Sequence, residues 1–264
     1  MGKIIVGIIG CGFVGGALKK WLENHNSDNV NLLISDPPKG FNDKMETADI
    51  IFISIHLPTE DDGYQDLTLL KQIISELPDK PIFIRTTILP GTADKLSDEF
   101  KKKIFFMPEF LTERTAYQDF CSQTMIFTGE IELLKKIFPR KKYLEMTSLE
   151  AEIAKYAHNV FGALKVTYFN GIYDICDKLN IEYQKVLDGV LASEYINSMH
   201  TQVPGPDRKY GYGGKCFPKD VNAFVKQFKD YPIYDLLKAL DPLNNIFRKK
   251  ITNNIIESVT KSNK

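Results

Sequence analysis

The chain has 264 residues, 43% apolar and 26% charged, a soluble globular composition with length enough for two domains. Its 34 basic side chains balance 34 acidic ones, so no global field draws it to nucleic acid or to an anionic membrane. The four cysteines, Cys11, Cys121, Cys176 and Cys216, form no CxxC pair and have no histidine at ligand spacing, which argues against a metal site and for reduced thiols in the cytoplasm.

Met1-Gly2-Lys3 runs straight into the apolar stretch Ile4–Ile9, which is too short to span a bilayer and has no cleavage-site pattern. Apolar runs at Ile4–Ile9, Asn31–Ser35, Ile50–Ile55, Ile82–Thr86, Ile104–Phe106 and Thr124–Phe127 predict strands. Amphipathic segments at Phe13–Asn24, Leu67–Leu77, Thr92–Lys101 and Glu130–Phe138 predict helices between them. That alternation implies a parallel sheet covered on both faces. From Thr147 the character changes: Ser148 and Glu150 can cap a helix running to Lys178. Helices at Tyr183–Leu191, Pro218–Phe228 and Ile233–Val259 follow, with a Gly/Pro-rich loop before the second of them. The expected fold class is α/β. A Rossmann-type doubly wound parallel sheet over 1–146 precedes an all-helical domain over 147–264, built on one long central helix.

The first predicted strand ends in Gly10-Cys11-Gly12-Phe13-Val14-Gly15, a GxGxxG turn leading into a helix. Gly10 permits the tight turn, Gly12 lets backbone amides approach a pyrophosphate, and Gly15 allows helix to pack on strand. The helix N-terminus offers N–H groups and partial positive charge to that phosphate. Asp36 ends the second strand, where a carboxylate takes the ribose hydroxyls and favours NAD over NADP; Lys39 nearby weakens that preference slightly.

The stretch Gly211-Tyr212-Gly213-Gly214-Lys215-Cys216-Phe217-Pro218-Lys219-Asp220 carries the chemistry. Pro218 suits a first helical turn, which puts Cys216 at a helix N-terminus, where the dipole and the flanking Lys215 and Lys219 favour a thiolate. The glycines would let substrate and cofactor approach the backbone. Asp220 follows one turn later on the same face, as an acid/base partner should. Lys155 and Asn159 repeat that spacing and could hold an alkoxide or a water, although such a pair is common on solvated helices.

Taken together, these residues resemble the UDP-glucose/GDP-mannose dehydrogenase family along nearly the whole chain. The ordered matches are the glycine turn, Ile55-His56-Leu57-Pro58-Thr59, Thr86-Thr87-Ile88-Leu89-Pro90-Gly91-Thr92, Pro108-Glu109-Phe110-Leu111-Thr112-Glu113, the Lys155/Asn159 helix and the cysteine decapeptide. The resemblance implies an NAD-dependent oxidation of a primary alcohol, in a nucleotide sugar or similar substrate, to a carboxylate. Cys216 would form the thiohemiacetal and thioester. Lys155 and Asn159 would stabilise oxyanions, and Asp220 would position water or act as base. Thr87 and Glu109 would serve water binding and thioester hydrolysis. Gly10, Gly12, Phe13, Val14, Gly15, Asp36, Lys39, Pro58, Thr59, Thr87 and Glu113 would lie at the cofactor. Outside that pattern, Glu109 and Glu113 would read as surface acids.

The resemblance further implies a homodimer through the long helix. There are departures from the family. Lys215 replaces a small residue, His56 replaces a smaller one, and Ser198–Lys209 does not align clearly. A third, C-terminal domain that grips the nucleotide is expected to be lacking, so a partner chain could replace it. Two other readings stay open at this level: a two-electron hydroxyacid-type NAD dehydrogenase, and a non-catalytic NAD-binding module completed by a partner.

Overall fold

The computed structural model describes residues 2–59 and 63–261, with side chains described as far as residue 250. The chain divides into two compact units: Met1–Thr59 with Gln65–Lys155, and Glu60–Tyr64 with Tyr156–Lys264.

The first unit is a twisted sheet with helices on both faces. Its strands are β1 (Ile4–Ile9), β2 (Val30–Asp36), β3 (Phe41–Asn42), β4 (Ile50–Ile53), β5 (Ile82–Ile84) and β6 (Ile104–Phe106). They lie in the order β3-β2-β1-β4-β5-β6, and all pair parallel except the short β2–β3 contact. Strand β4 shows why its sequence is uninterrupted Ile-Ile-Phe-Ile. Ile50 and Phe52 enter one core, with Leu18, Trp21 and Phe138, while Ile51 and Ile53 enter the other, with Leu70, Ile74 and Leu96. Alternate residues point to opposite faces, so a strand covered on both sides must be apolar throughout.

The covering helices are α1 (Phe13–His25), α2 (Thr68–Glu76), α3 (Thr92–Phe100), α4 (Ala116–Ser122) and α5 (Ile131–Ile137). Strands β7 (Met125–Phe127) and β8 (Tyr143–Glu145) form a separate parallel pair. Chain direction across the sheet reverses beside β1, between β2 and β4, which is where open α/β sheets bind ligands at their strand ends.

The long helix α6 runs from Ser148 to Lys178 over 31 residues; its part to Lys155 belongs to the first unit and the rest to the second. The second unit continues with α7 (Tyr183–Leu191), α8 (Phe217–Gln227), α9 (Ile233–Leu237) and α10 (Leu240–Lys261), and its described elements are all helical. The single helix expected over Ile233–Val259 is broken between α9 and α10. Pro242 explains the break, because it has no N–H for the carbonyl of Lys238 and its ring clashes there. In the first turn of α10 the same proline is tolerated. Tyr156 stacks on Phe224 with ring centroids 5.5 Å apart, and Gly162 leaves room for the Phe217 ring, which a Cβ would meet at 2.6 Å. No described helix is long and apolar enough to cross a membrane.

Candidate active site

The dinucleotide turn has the geometry its glycines require. Gly10 has φ +83°, and a Cβ there would lie 2.4 Å from the Ser54 carbonyl oxygen. A Cβ on Gly15 would lie 1.9 Å from the Gly10 carbonyl oxygen, so helix α1 closes on the turn only without a side chain. Gly12 is different: a Cβ there meets nothing within 4 Å, so the protein's own packing does not demand glycine. The backbone there is open on its outer side, which is the condition a closely approaching pyrophosphate would need. Asp36 Oδ2 accepts from the Cys11 N–H at 2.7 Å, and Lys39 donates to the Cys11 carbonyl at 2.5 Å. Gly10, Gly12, Asp36, Lys39, Ser54 and His56 border a groove of about 1000 Å³, ample for the adenosine half of a dinucleotide. Burial pushes the Cys11 thiol up, with Lys39 opposing, which disfavours a thiolate there. Phe13, Val14 and Gly15 form the first turn of α1.

A second cluster of the same unit joins Glu109 to Lys155. Both are buried, at 9% and 3% exposure. Lys155 Nζ lies 3.1 Å from Glu109 Oε1, also donates to the Glu109 carbonyl, and sits over the Phe110 ring. Glu109 Oε2 accepts from the Leu111 N–H at 2.6 Å. Thr87 is buried and bonded to Gln65, a buried residue 22 positions earlier that the motif reading missed. Gln65 Nε2 donates to the Thr87 carbonyl at 3.2 Å, and its Oε1 accepts from the Leu89 N–H at 3.0 Å.

Glu152, also unanticipated, accepts from the Gly91 N–H at 2.6 Å and the Ala93 N–H at 2.9 Å, so α6 caps the N-terminus of α3. Burial pushes its carboxyl up to about 7, against those two backbone bonds. Arg85 is the remaining surprise. It is 2% exposed, and its Nε and Nη1 have no hydrogen-bond partner among the described residues. Burial lowers its pKa to about 10, while the neighbouring Glu109 charge opposes the drop.

The third cluster lies in the second unit. Cys216 is half-buried and occupies the N-cap of α8, with Pro218 in the first turn. Its carbonyl accepts from the Asp220 N–H at 3.0 Å, which sets the cysteine and the carboxylate one turn apart. Asp220 is fully buried; Asn159 Nδ2 donates to its Oδ2 at 2.6 Å, and Lys219 Nζ donates to its Oδ1. His158 in turn contacts Asn159 Oδ1 at 2.9 Å. Lys155 and Asn159 are thus not partners of each other. Each holds a carboxylate that is distant in sequence.

Other predicted residues stand outside these three clusters. Glu113 is exposed on the segment before α4, and Pro58 and Thr59 follow β4. The Thr59 hydroxyl is buried with no partner among the described residues. The cap of α6 is Thr147, not the expected Ser148: Thr147 and Glu150 bond each other reciprocally, while the Ser148 hydroxyl accepts from the Phe106 N–H. The signal that could have located Glu152 is its position one turn before Lys155 in the first turns of that helix. For Gln65 and Arg85 no pattern in the sequence pointed to a role.

Two family models match the chain. The NAD binding domain of the UDP-glucose/GDP-mannose dehydrogenase family matches residues 38–141, and the central domain of that family matches residues 149–246. The UDP-glucose 6-dehydrogenase of Rhizobium meliloti (strain 1021) is 30% identical over 226 residues, covering 72% of this chain and 49% of that protein. Among solved structures, a UDP-glucose dehydrogenase of Pyrobaculum islandicum superposes with TM-score 0.76 at 22% identity, over 92% of this chain and 68% of the other. The UDP-N-acetyl-mannosamine dehydrogenase Cap5O of Staphylococcus aureus gives 0.71 at 18% identity, over 96% and 71%. At those identities the likeness establishes the fold. The chain spans about half the length of the curated relatives it matches.

Proposed function

This chain belongs to the UDP-glucose/GDP-mannose dehydrogenase family, and on that premise we propose that it oxidises the primary alcohol of a nucleotide sugar to a carboxylate in two NAD-dependent steps. The observation that carries the reading is the buried Asp220 carboxylate, held by Asn159 one helical turn from the half-buried Cys216. Taking a carboxylate out of water is costly even when it is paired, as Asp220 is with Lys219, and a buried, hydrogen-bonded carboxylate one turn from a cysteine is a candidate for chemistry.

NAD, when bound along Gly10, Gly12 and Asp36, supplies the hydride acceptor. The chain's own residues do the rest. The substrate alcohol loses a proton and a hydride and becomes an aldehyde. Cys216 Sγ adds to the aldehyde carbon, forming a C–S bond, and the carbonyl oxygen takes a proton to give a thiohemiacetal. Loss of a second hydride and that proton leaves a thioester. Water then adds to the thioester carbon, the C–S bond breaks, and the thiol and a carboxylate are released. The ammonium of Lys155 and the amide of Asn159, four residues apart on α6, are the donors suited to the oxyanions of these steps. Asp220 accepts protons, and Glu109 with Thr87 orients the hydrolytic water.

A homodimer through α6 is part of the same reading. Phe161, Tyr168 and Ile175 repeat every seven residues and are exposed, so one apolar stripe of that helix is uncovered in the single chain. The test is incubation of the chain with NAD and a panel of sugar nucleotides that includes UDP-glucose. NADH and a uronic acid product are expected. NADH with an accumulating aldehyde or ketone instead favours a two-electron dehydrogenase, and no NADH favours a binding module.

A further inference from the structure

We infer that Asn244 and Arg248, on α10, are positioning residues that clamp the backbone of the cysteine loop; the inference rests on Cys216 being the nucleophile. Tyr212, four residues before Cys216, is 2% exposed, and side chains of α10 take both its backbone polar groups. Its N–H donates to Asn244 Oδ1 at 2.7 Å. Its carbonyl accepts from Asn244 Nδ2 at 3.0 Å and from Arg248 Nε at 2.8 Å. One amide therefore brackets Tyr212 from both sides, as a neighbouring strand would. The Tyr212 hydroxyl donates to Asp241 Oδ1 at 2.5 Å, and Arg248 Nη1 reaches back to Asp207 Oδ2 at 2.7 Å.

The glycines fit this arrangement and revise their expected role. A Cβ on Gly211 would lie 2.3 Å from Asn244 Oδ1, and one on Gly213 would lie 1.4 Å from Arg248 Nη2. A side chain at either position would displace the Asn244 amide or the Arg248 guanidinium from the loop, and Gly211 also holds a left-handed φ of +68°. Gly214 alone, at φ +76° with nothing within 4 Å of its Cβ position, keeps the open backbone expected for substrate approach. A covalent step needs its nucleophile held near attack distance, and a 1 Å displacement can cost about a hundredfold in rate. The clamp is what holds the start of that loop to a helix.

The test is cysteine labelling of the full chain with iodoacetamide, read site by site by mass spectrometry, for wild type, Asn244→Ala and Arg248→Gln. Exposed Cys121 and buried Cys176 serve as internal references. Loss of the clamp should raise Cys216 labelling by about threefold or more through local opening, with Cys121 and Cys176 unchanged. With a turned-over sugar nucleotide, the same variants should release aldehyde while the first oxidation is spared, because only the second step needs the thiol in place. Unchanged Cys216 labelling in both variants overturns the inference, and so does a parallel rise at Cys176, which would mean general loosening. A Cys216→Ser variant with wild-type product yield would instead remove the nucleophile reading and leave the labelling result to judge the clamp alone.

Discussion

Asn159 Nδ2 donates to Asp220 Oδ2 at 2.6 Å, joining α6 to α8 across 61 positions of sequence. Removing the carboxylate strands the buried Asn159 amide and the Lys219 ammonium, whereas removing the amide leaves the carboxylate with Lys219 alone. Asp220→Ala is expected to lose about 1–3 kcal/mol of stability, the cost of a buried polar group left unsatisfied. Asp220→Asn should lose less stability but nearly all turnover, because an amide cannot accept a proton. Urea unfolding and steady-state NADH formation, measured on both variants, check this.

The buried ion pair of Lys155 and Glu109 predicts a non-additive result. Lys155→Met alone removes the cation bonded to Glu109, leaving only the neighbouring Arg85 charge, and should cost about 3 kcal/mol or more. Adding Glu109→Gln should restore only part of that stability, because Arg85 then loses its neighbouring carboxylate, while turnover stays low. A double-mutant cycle in denaturant unfolding measures the coupling. Additive effects would show that the pair does not act as a unit.

Much of this was legible from the residues. Strand β1, the glycine turn and α1 followed from a local pattern, as did the two ends of α6 and the placing of Cys216 at a helix start. The partnerships were not. Lys155 and Asn159 sit one turn apart and read as a pair, yet each is engaged by a carboxylate 46 or 61 residues away, and long-range contacts leave no periodic trace. Pro242 was overlooked as a helix breaker because the apolar spacing continues across it. Helix α4 and strand β8 are short elements whose existence depends on packing against the rest of the first unit.

Glu152 predicts a pH signature in stability. Its folded pKa is raised to about 7 by burial, so the folded state holds the proton more tightly than the unfolded chain does. Its contribution is fully present below the ordinary glutamate range and is lost as pH rises towards about 7. Above that it is constant. The difference in Tm between Glu152→Gln and wild type should therefore shift in favour of the variant from pH 5 to pH 7 and then level off. A difference independent of pH would contradict the assignment.

Asp36 predicts cofactor choice. Its carboxylate is anchored by the Cys11 N–H, beside the groove where a ribose would lie, and a 2′-phosphate would face it. Asp36→Ser should weaken NAD binding by about tenfold and improve NADP relative to NAD, since each unit charge contact is worth about 1–2 kcal/mol at such a site. Fluorescence titration with both cofactors gives the ratio. An unchanged preference would move the specificity determinant elsewhere, Lys39 being the first place to look.

Covalent capture of an aldehyde by Cys216 between two oxidations fixes the stoichiometry of the reaction. Counting NADH against substrate consumed, for wild type and for Cys216→Ser, measures it. Two NADH per substrate are expected in the wild type and one or fewer in the variant, with aldehyde trapped by an added amine. One NADH per substrate in the wild type, or two in the variant, would rule out Cys216 as the nucleophile of a four-electron oxidation.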